Sequence, residues 1–277
     1  MENAKSVKAL KKQLVAAIAM VLVAAVALAS STYAWFVSNN KVTAKTTSIS
    51  AQSNSAYLLI EAGKKTTADS TTAATGTEQT TGEDTKLYPA QWAKNFAEDK
   101  TATGEKVYQF ESAYAEKKDV ATEKTGTRFA VGTPAEAVTA DYALLNTFYV
   151  GTGTYDGEFE NLRVSNMEVT TTEATKGLKT GMRLLIMAYK DGEASPTSWV
   201  VAKYNDGATA AIEANSDGTT SDIVYKDKFG KTNGDVKIEI YAYYDGADEN
   251  VKTTNLSKLV DCSATATFTA TPTEYGK

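Results

Sequence analysis

The sequence predicts an all-β protein: a jelly-roll-like β-sandwich with a partly flexible insertion, preceded by an N-terminal signal or hydrophobic helix. Three observations predict it. After the N-terminal apolar stretch no segment keeps a helical period; short Val/Ile/Tyr/Phe/Thr runs recur instead, bounded by Gly, Asp and Asn. Asp-Gly pairs at 156–157, 191–192, 206–207, 217–218 and 245–246 punctuate those runs as turn residues. Eight or so runs at this spacing suit two packed sheets. A chain of 277 residues with 42% apolar composition is long enough to bury a substantial core.

Residues 1–34 read as an export signal. Lys5, Lys8, Lys11 and Lys12 precede "LVAAIAMVLVAAVALA", the charged and apolar regions of a secretory leader. Cleavage fits after Ala29 in "ALA" or after Ala34 in the triplet Thr32-Tyr33-Ala34. Retention as an anchor is the competing reading, because Leu14 to Val37 is long enough to cross a bilayer. Both readings place the rest of the chain outside the cytoplasm.

Residues 35–63 hold the first strand candidates, "KVTAKTTSISAQ" and "AYLLIEA". Residues 64–140 read as an insertion. It opens with "KKTTADSTTAATGTEQTTGEDTK", too poor in large apolar residues to offset its ordering entropy, and hence a surface loop. Within it "YPAQWAKNFAED" predicts a short helix from Pro89, with Trp92 and Phe96 on one face. Residues 141–277 supply the remaining strands: "YALLNTFYVGT", "NLRVSNMEVTT", "GMRLLIMAYKD", "SWVVAKYND", "DVKIEIYAYYDG" and "ATATFTATP". In "DVKIEIYAYYDG", Val236, Ile238 and Ile240 alternate with Lys237 and Glu239, the pattern of a strand with one buried side. Tyr241 and Tyr243 fall on the opposite face, where ordinary cross-strand packing is the expectation and an exposed pair that stacks on sugars or a neighbouring subunit is the alternative.

Composition narrows the chemistry. The chain has no histidine, which removes the usual general base, the commonest zinc ligand and any Ser-His-Asp centre. Its single cysteine, Cys262, can form neither an internal disulfide nor a CxxC site, and reads as a small buried hydrophobe. A net charge of −5 with scattered basic residues argues against a nucleic-acid partner. An enzyme is therefore not expected, and no cofactor is required. The loop "DGADEN" gathers Asp245, Asp248, Glu249 and Asn250 after a strand, and calcium is the cation such oxygens would take. Its spacing does not follow the twelve-residue EF-hand loop, so a solvated turn set by the Asp-Gly pair is the preferred reading and calcium the alternative.

The stretch "STYAWF" after the apolar run resembles the start of the TasA/camelysin family, exported by Gram-positive bacteria through a SipW-type signal peptidase. Thr32-Tyr33-Ala34 matches the cleavage triplet and Trp35-Phe36 the mature start, while Ser30 and Ser31 stand where the family commonly has glycine. The resemblance implies a jelly-roll fold and a role as an extracellular fibre subunit of biofilm matrix.

The residues suggest a mechanism for such a role. A mature chain that begins "WFVSNNKV" either uses this segment as its own first strand or lends it to a neighbour's open sheet edge. In the second case Trp35, Phe36, Val37 and Val42 are the assembly residues, and Ser38 to Asn40 form a joint. The contact would be heterologous and propagate as a homo-oligomeric filament. The expectation is a secreted, non-enzymatic fibre or surface-matrix subunit that meets the membrane only through its uncleaved N-terminal segment. An adhesin using the aromatic-bearing insertion and a membrane-tethered monomer are the alternatives.

Overall fold

"MRLLIMAY" has no polar face, so a strand made from it must be covered on both sides. The computed structural model describes residues 41–45, 58–76, 87–94, 108–112, 130–154, 156–170, 179–205, 210–248, 250–251 and 263–273. All belong to the unit Asn40–Lys277. In chain order the strands are β1 (Lys41–Lys45), β2 (Leu59–Ala62), β3 (Ala73–Thr75), β4 (Ala90–Lys94), β5 (Tyr108–Ser112), β6 (Ala130–Gly132), β7 (Leu144–Gly151) and β8 (Glu158–Thr170). They continue as β9 (Met182–Tyr189), β10 (Ser198–Lys203), β11 (Ala211–Asn215), β12 (Ile223–Tyr225), β13 (Phe229–Gly230), β14 (Val236–Tyr244) and β15 (Ser263–Pro272). Among the described residues one short helix, α1 (Pro134–Thr139), precedes β7.

Two six-stranded sheets form the sandwich. The first runs β12-β8-β15-β1-β3, with β13 also on β8; the second runs β11-β10-β9-β14-β7-β2. The antiparallel pair β7·β14 in the second sheet continues as the antiparallel pair β8·β13 in the first, β7 running on into β8 and β13 into β14. A two-stranded ribbon folded across both sheets in this way gives the jelly-roll character. Every one of the eight runs chosen from the sequence contains a strand.

Between the sheets lies the main core. Phe148 and Val150 of β7, Leu184 and Ile186 of β9, and Ile238 and Ile240 of β14 meet Leu162 and Val164 of β8 and Phe268 of β15. Phe159, Phe229 and Tyr225 close one end, with ring centroids 6.0 and 6.3 Å apart along the series. On β8 the inward positions are Phe159, Leu162, Val164, Met167 and Val169, so the alternation breaks twice. Bulges against β15 cause the breaks, between Thr267 and Phe268 and between Thr269 and Thr271. Asn146 is fully buried on β7, and Gly76 lies so close that an added Cβ would stand 2.2 Å from its Oδ1. Only glycine admits that approach.

The insertion differs from expectation in three ways. "AQWAK" is strand β4, not a helix from Pro89; it pairs antiparallel with β5, and β5 pairs with β6, making a third sheet. Trp92 earns its burial by facing the second sheet, which overrides the weak local helical signal; Phe96 lies outside the described residues. Second, the helix is α1, announced by Thr133-Pro134-x-Glu136: Thr133 caps the backbone N–H of Glu136, and Glu136 Oε2 accepts from the Thr133 N–H at 2.7 Å. Third, residues 64–76 are held in place. The Thr66 N–H donates to Asp235 at 2.7 Å, Lys65 pairs with Asp191, and Ala73–Thr75 joins the first sheet as β3.

The third sheet covers the outer face of the second and creates a second core. Phe110, Ala90 and Ala137 meet Leu185, Met187, Trp199, Val201, Tyr241 and Tyr243. Tyr241 and Tyr243 do face away from Val236 and Ile238, but they are 4% and 3% exposed. The two tyrosines are packed rather than exposed, and part of their cover comes from the third sheet: Phe110 lies edge-on against Tyr243 at 5.2 Å. Likewise β14 is buried on both faces along Ile240–Tyr244 rather than on one.

Phe110→Ala would leave a cavity between the third sheet and the sandwich, at a cost of about 3–5 kcal/mol. Urea unfolding followed by tryptophan fluorescence checks this, since Trp92 lies 5.2 Å from that ring; an unchanged midpoint would show that the third sheet does not stabilise the sandwich.

Candidate assembly site

Strand β1 sits inside the first sheet. On one side it pairs antiparallel with β15, Lys41 opposite Thr269, Val42 opposite Phe268, Ala44 opposite Ala266 and Lys45 opposite Thr265. On the other it pairs in parallel with β3, Thr43 opposite Ala73 and Lys45 opposite Thr75. The flanking strands carry mostly small residues toward the core: Ala264, Ala266 and Ala270 surround Phe268, and β3 contributes Ala74. Backbone pairing engages β1 on both sides. Without β1, β15 would present an unpaired edge over Thr265–Thr269, and β3 would lose its neighbour in the sheet.

Val42 is the one expected assembly residue inside the described structure, and there it occupies its own chain's sheet. Thr32, Tyr33, Ala34, Trp35, Phe36 and Val37 lie outside the described residues, as do the predicted N-terminal helix and Cys262. Among the described residues no helix is long and apolar enough to cross a membrane.

The "DGADEN" loop has a different organisation from a cation cage. Arg183 of β9, buried at 5% side-chain exposure, places its Nη2 3.0 Å from Asp245 and 3.9 Å from Asp248. Its Nε donates to Glu213 of β11 at 2.7 Å. Asp245 and Asp248 also accept from the backbone N–H groups of Ala247 and Asn250, both at 2.9 Å, the usual geometry of aspartate-led turns. The cation facing these carboxylates is thus a guanidinium, and no group of three or more metal-ligating side chains occurs among the described residues. Glu249 lies outside them. Burial would lower the Arg183 pKa, but its bond to Glu213 and the nearby acids raise it.

A second polar centre on the same sheet was not foreseen. Glu239 of β14 accepts hydrogen bonds from Tyr189 at 2.6 Å, Tyr241 at 2.8 Å and Lys237 at 3.0 Å. The Lys237 ammonium lies 3.8 Å from the centre of the Tyr189 ring. Burial alone would raise the Glu239 carboxyl, but these three donors hold it below the usual range. Burial, followed by the Glu239 charge, raises both phenols. Three donors converge here on one carboxylate, an arrangement that ties β9 to β14. Both centres share one sequence signal: isolated charges within apolar strand runs, Arg183 in "MRLLIMAY" and Glu239 in "IEIYAYY".

Compared with known families, curated proteins and solved structures, the chain matches none.

Arg183→Ala would leave Asp245 and Asp248 facing each other without their cation, at a cost of about 3 kcal/mol or more. Chemical denaturation measures it; a loss below about 0.5 kcal/mol would mean that solvent already screens the cluster.

The Glu239 centre sets a pH dependence. A carboxyl held below its ordinary value contributes stability above the unfolded pKa of about 4.3, and that stability is lost as pH falls through the folded value. The raised phenols act at the other end. Their contribution is complete below the unfolded pKa of about 10 and declines above it. Asp235, whose carboxyl burial raises, works against the acid loss. Melting temperatures of Glu239→Gln and the parent protein, compared pH by pH so that the Asp235 effect cancels, should converge as pH falls. A constant gap between pH 3 and 7 would refute this.

Proposed function

We propose that the protein is a secreted, non-enzymatic subunit of an extracellular fibre or surface matrix, joined to its neighbours by exchange of the N-terminal strand. The observation that carries this reading is the position of β1. It is the first described element of the chain, only five residues long, and yet it lies inside a sheet, with a strand on each side. The slot it fills is defined by backbone groups of β15 and β3, so the same segment of a sister chain fits it equally well.

Exchange of an identical strand keeps every cis contact and re-forms it in trans, so its cost is mainly entropic and concentration decides the outcome. A donor at one end of the molecule and an acceptor slot elsewhere make a head-to-tail contact that does not close on itself. The apolar residues Trp35, Phe36 and Val37, just ahead of β1, would extend the donor. Before cleavage the leader would tether this segment to the membrane, and a SipW-type peptidase cutting after Ala34 would release it. The resemblance of residues 30–36 to the TasA/camelysin family supports the same reading. The lack of histidine supports a structural rather than a catalytic role.

A mature chain lacking Trp35–Val42 should form no filaments in negative-stain electron microscopy and should melt at a lower temperature. A synthetic peptide covering residues 35–45 should restore the melting temperature by filling the slot from outside. Filaments formed by the truncated chain, or a peptide without thermal effect, would refute strand exchange.

A further inference from the structure

The third sheet leaves and rejoins the sandwich at a narrow neck. Tyr88 stands two residues before β4, and Tyr142 two residues before β7, so the chain between them carries the whole third sheet and α1. At the neck the two phenol rings touch, with centroids 5.4 Å apart and planes inclined by 40°. Backbone hydrogen bonds fix both residues. The Tyr88 N–H donates to the carbonyl of Asp141 at 2.8 Å, and the Tyr142 N–H to that of Ala137 at 2.8 Å. Tyr142 packs against the second core, while Tyr88 is 61% exposed, the only large hydrophobic side chain so exposed among the described residues.

We propose that Tyr88 and Tyr142 form an oxidative cross-linking site, in which a haem peroxidase and hydrogen peroxide join the two rings as dityrosine. Each phenol gives up one electron and one proton to the peroxidase. The two phenoxyl radicals couple through ring carbons ortho to oxygen, and the two ring protons shift so that both phenols re-form. In sum, two tyrosines and one hydrogen peroxide give one dityrosine and two waters.

The neck favours this pair for two separate reasons. An exposed Tyr88 is open to the oxidant, whereas Tyr189, Tyr225, Tyr241, Tyr243 and Tyr244 are buried. Its partner is already in ring contact, so coupling within one molecule outruns diffusional encounter between two. The product would turn the excursion through β4, β5, β6 and α1 into a covalently closed loop. Such a closure acts mainly by restricting the unfolded chain. The inference rests on the ring geometry and is independent of strand exchange.

The test treats the full secreted chain, at low concentration, with horseradish peroxidase and hydrogen peroxide. A monomer is expected that is lighter by two hydrogen atoms, shows dityrosine fluorescence, and yields on digestion a linked peptide pair containing Tyr88 and Tyr142. Tyr88→Phe and Tyr142→Phe should each abolish this signal in the monomer while leaving circular dichroism unchanged. Monomer dityrosine that persists in either variant would overturn the proposal. So would linked peptides that join other tyrosines, or fluorescence found only in oligomers.

Discussion

The pair β9·β14 runs through the middle of the second sheet, and its burial on both faces governs the rest of the molecule. Ile186 and Ile240 lie opposite each other and face the first sheet; Leu185 and Tyr241 lie opposite each other and face the third. A sandwich of two sheets covers only the first of these faces. The residues of the other, including Trp199, Tyr241 and Tyr243, would then form an apolar surface larger than a monomer in water usually shows. The third sheet and α1 supply that cover, and the insertion is therefore a structural layer of the fold.

Covering a sheet twice restricts where charge can remain. Arg183 and Glu239 lie on the covered side, and each is matched by nearby groups: Glu213 of β11 and the loop residue Asp245 for the first, Tyr189 of β9 with Lys237 and Tyr241 of its own strand for the second. Buried charge persists only where partners take over from water. The partners of Arg183, Glu213 and Asp245, line a small cleft together with Gln91 and Trp92 of the third sheet.

The first sheet shows the opposite economy. Beside β1 its inner positions are Ala264, Ala266, Phe268, Ala270 and Ala74, mostly small, and β1 pairs on both sides, with β15 and with β3. Side-chain interlocking specifies a strand uniquely; backbone pairing in a narrow slot is satisfied by any strand of compatible sequence. The second sheet is thus closed by side chains on both faces, and the first is completed along β1 by backbone pairing with a strand on each side.

Much of the sandwich was legible in the sequence, because alternation and Asp-Gly turns are local signals that survive without knowledge of the partner. "DVKIEIYAYYDG" and "ATATFTATP" declare strands at sight, and the turn glycines Gly192 and Gly218 adopt the left-handed conformation expected of them. The capping signal at Thr133-Pro134-x-Glu136 was equally local and could have located α1. What the sequence could not fix was which faces are covered. Trp92 and Phe110 give no sign, residue by residue, that they pack on Tyr241 and Tyr243, because that contact joins segments far apart in the chain. The same holds for the loop at Asp245: its own residues suggest a cation site, and only the fold brings Arg183 against it. Local chemistry determined the strands and turns; the pairing of distant surfaces decided which tyrosines are buried, which carboxylates are engaged and where β1 is seated.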